Sequence, residues 1–159
     1  MGWNAQQPIL PCTAAAFAFS LASAACTSSC NEDDKPRLQT FVWQRSWGPC
    51  PTPGEDSCLQ RLSMDENGAM TYMDQGTARS AGMQASDFDR LESLLTDDAT
   101  LAAMRDTSSC GPEIMDMWET VEILLEGEDA IEKEITECTG EPYDSIRLFV
   151  EDIQSSYFP

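Results

Sequence analysis

The sequence predicts an α+β domain over residues 37–159: an antiparallel sheet of two hairpins plus an N-terminal strand, covered by a broken helix and a C-terminal helix. Three observations carry this. Residues 58–75 and 117–138 each alternate apolar and polar side chains about a short turn that holds a glycine, which is the period of a half-buried strand. Residues 86–104 change to helical spacing, with Phe88, Leu91, Leu94 and Leu95 on one face and, after Thr96-Asp97-Asp98, Leu101 and Met104 on a restarted one. After Pro142, the residues Ile146, Phe149, Val150, Ile153 and Tyr157 form the clearest amphipathic stripe in the chain. Strands followed by helices, twice over, fit helices laid on an antiparallel sheet.

Taken in order, RLQTFVWQR from Arg37 reads as the first strand. Leu38 and Val42 stand against Phe41 and Trp43, so both faces carry apolar residues, and the strand is expected to be central or covered on both sides. Residues 46–57, SWGPCPTPGEDS, form a loop, because Pro and Gly at that density block a ladder. In the first hairpin Leu62 and Met64 alternate with Arg61 and Ser63, and Met70 and Tyr72 flank Thr71. The Asp65-Glu66-Asn67-Gly68 loop closes it, with Gly68 supplying the positive φ. GTARSAGM adds a further short strand. Ser86 is the expected N-cap of the first helix, with Asp89 three residues on. Val121, Ile123 and Leu125 oppose Glu122, and Ile131 and Ile135 alternate with Glu132 and Glu134, across a Glu126-Gly127-Glu128-Asp129 turn. Trp43 and Trp118 are expected in the core. Trp47 either packs on the Cys50 loop or faces a partner.

The first 25 residues read as an address. Residues 9–25, ILPCTAAAFAFSLASAA, carry no charge, are short for a membrane span and end in small residues, as a secretory signal peptide does. Residues 1–8 lack the usual basic residue. Two processing sites compete. Ala22-Ser23-Ala24 suits ordinary cleavage before Ala25, whereas Ser23-Ala24-Ala25-Cys26 resembles a bacterial lipobox with Ser23 where Leu is usual. The resemblance implies lipidation of Cys26 and a polar tether over 26–36. Location follows as exported, either an outer-membrane or periplasmic lipoprotein or an extracellular protein.

Beyond that segment lie Cys26, Cys30, Cys50, Cys58, Cys110 and Cys138, and export makes disulfides the expected state. The four in the folded part, Cys50, Cys58, Cys110 and Cys138, permit three connectivities. Cys50 and Cys58 flank a Pro- and Gly-rich loop that a local link would staple. Cys110 and Cys138 bracket the second hairpin, a sensible long-range pair. No C-x-x-C pair suggests zinc.

A formal charge of −19, from 28 acids against 9 bases, argues against nucleic acid and anionic lipid as partners. The chain has no histidine, so Ser-His and Cys-His nucleophile pairs are excluded. Asp65-Glu66-Asn67 has the start of a calcium loop, but position 76 is Gly where the later Glu should stand, so it reads as a turn.

The loop Trp47-Gly48-Pro49-Cys50-Pro51, followed by a strand ending in the acidic turn Asp65–Gly68, is similar to small bacterial envelope domains of unassigned activity. The element order over 37–157 also resembles emfourin, a group of inhibitors of thermolysin-like metalloproteases: strand, Asp-x-x-Gly hairpin, Leu-rich helix, second hairpin and closing Leu-rich segment. Here a Trp, Pro and Cys loop replaces the glycine-rich start of that group, and no inhibitory residue carries over. The expectation is a non-enzymatic, monomeric binding module with no cofactor and no metal, tied to the membrane only through a lipid anchor. Its partner is an unidentified envelope or extracellular protein, with Trp47, Gly48 and Pro49 as contact residues. The rival is a histidine-free hydrolase using paired carboxylates such as Glu32-Asp33-Asp34 or Asp97-Asp98.

Overall fold

A computed structural model describes residues 35–48, 58–108, 110–111 and 117–159. These form β1 (Leu38–Trp47), β2 (Leu59–Asp65), β3 (Ala69–Asp74), β4 (Thr77–Gly82), α1 (Ala85–Leu95), α2 (Asp98–Arg105), β5 (Met117–Leu125), β6 (Ile131–Glu134) and α3 (Tyr143–Tyr157). The strands make one six-stranded sheet in the order β4-β3-β2-β1-β5-β6, antiparallel throughout. Each strand from β1 to β4 pairs with the next through a hairpin or loop, and β5 then joins the far side of β1. The expected α+β arrangement is the observed one, and the expected broken helix and C-terminal helix are α1–α2 and α3.

The register explains which residues enter the core. Phe41 stands beside Met64 and Ile123, Trp43 beside Leu62 and Val121, and Leu62 beside Tyr72. All are buried, together with Leu91, Leu95, Leu101 and Met104 of the helix pair and Ile146, Phe149, Val150 and Ile153 of α3. Each such side chain contributes about 1.5–3 kcal/mol relative to exposure, so this layer carries most of the stability.

β1 is central, between β2 and β5, as expected, and the described helices leave its second face uncovered; the corrected point is that Leu38 does not share the face of Val42. The register against β5 jumps from Leu38↔Leu125 to Thr40↔Leu124, a bulge at Gln39. The extra residue turns Leu38 onto the same side as Phe41 and Trp43, which leaves Val42 on the other face with Thr40, Gln44 and Ser46. Ser86 is likewise not the N-cap of α1: the helix starts at Ala85 after Gln84, which makes no side-chain cap. A tyrosine from the far end of the chain serves that helix end. The Gln84 backbone N–H donates to Tyr157 Oη at 2.9 Å, and Tyr157 donates to Asp87 Oδ2 at 2.6 Å.

Local turns follow their residues. Gly68 has φ +73°, and Asp65 accepts from the backbone N–H groups of Asn67 and Ala69, so the acidic loop is a self-capped hairpin turn. Asp97 caps α2 by accepting from Ala99 and Thr100. Cys110 and Cys138 are bonded to each other, with Cα atoms 4.7 Å apart, which ties the loop after α2 to the loop after β6. Cys58 is also disulfide-bonded. Cys26, Cys30, Cys50 and Pro49 lie outside the described residues, as do the expected signal peptide and nearly all of the tether.

Candidate functional site

The sheet has two unlike faces. Thr40, Val42, Gln44 and Ser46 of β1 share the second face with Arg61 and Ser63 of β2, Thr71 and Met73 of β3, and Trp118, Thr120, Glu122 and Leu124 of β5. None of these residues is buried. The described helices all pack on the other side.

At one end of the two central strands this face meets the start of the Pro- and Gly-rich loop. Ser46 pairs with Trp118, and Trp47 with Met117. Trp118 is 45% exposed and Met117 37% exposed, and apart from Leu148 on α3 they are the exposed large apolar side chains among the described residues. A Cβ placed on Gly48 would stand 3.7 Å from the Trp118 ring, so the Gly48 backbone runs alongside the indole. Trp47 is partly buried beside Met117. The structure therefore gathers Trp47 and Gly48, two of the three expected contact residues, and adds Trp118 and Met117 to them.

Trp118 corrects the expectation that it lies in the core. Along β5 the odd positions Glu119, Val121, Ile123 and Leu125 are buried, and Trp118 shares the parity of exposed Glu122. The alternation that identified Val121, Ile123 and Leu125 as inward already assigned Trp118 outward.

Beneath this corner lies a buried charge that sequence reasoning did not find. Glu119 is 1% exposed. Its Oε1 accepts from Trp43 Nε1 at 2.7 Å and Arg45 Nη2 at 3.0 Å, and its Oε2 accepts from Arg147 Nε at 2.7 Å. The Arg45 guanidinium also sits 5.0 Å from the centre of the Trp43 ring. Arg147 reaches on to the carbonyls of Cys138, at 2.6 Å, and Ile135. This network fastens the ends of β1 and β5 to α3 and to the segment that carries the disulfide. Both Glu119 oxygens are engaged by donors, and Arg147 also pairs with Asp144 at 3.4 Å, so the network holds the corner in place. The sequence signal was a lone Glu at an inward parity, two residues before Val121.

A separate cleft of about 570 Å³ opens between the end of α2 and β6, lined by Met104, Asp106, Ser108, Ile131, Lys133 and Glu137 among others. Lys133 is nearly buried and donates to the carbonyls of Asp106 and Ser108, at 2.5 and 2.7 Å, so its charge is used to close the α2 loop. Asp106 is held below the ordinary carboxylate range by the Ser108 backbone N–H and then its hydroxyl. Among the described residues no three His, Cys, Asp or Glu side chains gather as metal ligands, and no helix is long and apolar enough to cross a membrane.

Asp97 and Asp98 sit at the start of α2, one as its cap, and residues 32–34 lie outside the described residues. Compared with models of known families the chain matches none, and it matches no curated protein sequence.

Proposed function

We propose that the chain is a non-enzymatic binding module exported to the cell envelope, and that the corner at the ends of β1 and β5 is its contact surface. The observation that carries this reading is Trp118, exposed on the open sheet face, with its chain neighbour Met117 exposed at the same strand end. Exposed tryptophan is the residue type most enriched among interface hot spots. Here it stands on central strands anchored by Glu119, so little ordering is left for binding to cost.

The partner class is an envelope or extracellular protein. Inhibition of a thermolysin-like metalloprotease is its sharpest form, and that form rests on resemblance in element order alone. Export draws support from the Cys110–Cys138 disulfide, since such links persist in oxidising compartments. Lipidation of Cys26 is tested by mass spectrometry of the N-terminal peptide from native membranes. A mature chain beginning at Ala25 would leave the protein secreted without an anchor. Function is tested by affinity capture from envelope extract, with parallel assays against thermolysin-like proteases. Retention of a protein by the wild type and its loss with Trp118→Ala is the expected result. Turnover of a glycan or peptide, abolished by an acid-to-amide change, would replace this reading with the carboxylate hydrolase.

A further inference from the structure

The two edges of the sheet are built to opposite rules. An edge strand exposes unpaired backbone N–H and C=O groups, and chains ordinarily guard it with charge, brevity, proline or a bulge. The β6 edge is guarded: it spans only Ile131–Glu134, with sequence Ile-Glu-Lys-Glu. Just beyond it the Ile135 N–H donates to the Glu119 backbone carbonyl, which by alternation turns the backbone groups of Glu132 and Glu134 outward, and Cys138 Sγ already lies against the Glu134 carbonyl.

The β4 edge, apart from Arg79, has none of this. Its six residues, Thr-Ala-Arg-Ser-Ala-Gly, contain no proline and no acid, they pair with β3 without a bulge, and all but Ala81 are exposed. Asp74 and Thr77 close a two-residue turn through Gln75 and Gly76, both at positive φ, and the Met83 N–H donates to the Gly68 carbonyl. Both ends of the hairpin thus set the same alternation, which directs the backbone groups of Ala78, Ser80 and Gly82 away from β3.

Charge identifies the occupant. From Gln75 to Ser86 the sequence holds no acidic residue, in a chain with 28 of them. Its one charge, Arg79, is turned back onto its own molecule: Nη1 donates to the Pro159 carbonyl, and the guanidinium lies 5.7 and 5.8 Å from the Tyr72 and Phe158 rings. A basic partner strand would be met by acids at this edge, and there are none. A second copy needs the reverse, a strip cleared of acids where two chains of net charge −19 approach.

We propose that β4 pairs with β4 of a second copy, antiparallel about a two-fold axis at Ser80. In that register Ser80 faces its own counterpart, and Ala78 faces Gly82 of the partner copy. Backbone bonds are exchanged at each outward position, and two six-stranded sheets become one continuous sheet. The small side chains at 78, 80 and 82 allow this approach. This inference departs from the monomer expected from sequence, and it does not depend on the contact corner at β1 and β5.

The test is sedimentation equilibrium of the full chain, with its disulfides intact, at about 50 μM protein in low and high salt. A two-fold dimer that tightens as salt rises is expected, because salt screens the like charge of the two copies. Ser80→Glu, which sets two carboxylates opposite each other, and Ser80→Pro, which removes an N–H that β3 does not use, should each weaken dimerisation at least tenfold while the circular dichroism stays unchanged. Glu132→Lys on β6 should leave it unaltered. A wild type that stays monomeric at every salt, or a dimer indifferent to both Ser80 changes, overturns the proposal.

Discussion

Glu119 is the residue on which the contact corner depends. Its carboxylate is buried and shared by one indole and two guanidinium groups, so removing it strands three donors. Breaking a buried pair from one side costs about 3–5 kcal/mol, which is the expected destabilisation for Glu119→Ala by urea denaturation. Glu119→Gln keeps an acceptor for the donors and should cost distinctly less. Equal losses for the two variants would mean that packing, and not the network, is what Glu119 supplies. Tyr72 gives the second residue-scale prediction. Burial, followed by the nearby Asp74 charge, raises its phenol above the ordinary value of 10.0. A raised folded value favours the neutral phenol in the native state, so this stabilisation is complete below pH 10 and is lost as pH rises through the folded value. Wild type should therefore lose stability faster than Tyr72→Phe between about pH 9 and 11, and parallel slopes would contradict the assignment.

At the scale of elements, the Cys110–Cys138 link joins two loops that no strand pairing connects directly. It closes a span of 28 residues, for which the loop-entropy account gives about 3–4 kcal/mol. Cys110→Ala with Cys138→Ala should lower stability by that amount in guanidinium. A loss under about 1 kcal/mol would show that the loops are already fixed without the bond. Most elements were legible in the sequence because period and turn residues agreed. Gly68 marked the first hairpin, the apolar stripe after Pro142 marked α3, and Thr96-Asp97 marked the break between α1 and α2. Two misreadings share a cause: each depended on a partner distant in sequence. The bulge at Gln39 appears only in the register against β5, and it alone decides that Leu38 joins Phe41. The start of α1 is served by Tyr157, 73 residues from Gln84, so local capping rules pointed to Ser86 instead. Trp118 differs: its large aromatic side chain suggests the core, but the alternation of its own strand turns it outward.

At the scale of the whole molecule, one covered face and one open face divide the labour of the sheet. The covered face spends nearly every apolar stripe on the core, while the open face mixes polar side chains with the part-buried Val42, Met73 and Leu124 and ends at the corner where Trp47, Gly48, Met117 and Trp118 meet. The contact residues expected from sequence, Trp47 and Gly48, belong to that corner, and Pro49 and Cys50 continue the chain from it. Glu119 and Arg147 were not legible, because nothing in a list of 28 acids and 9 bases says which pair a fold will bury. The central claim is that this corner is where the protein meets its partner. The most direct measurement is the affinity of the captured partner for wild type, for Trp118→Ala and for Glu122→Gln, which lies on the same open face away from the corner. The account predicts a loss of at least 2 kcal/mol, roughly thirtyfold, for Trp118→Ala and little change for Glu122→Gln. Unchanged affinity on loss of the Trp118 indole would contradict it.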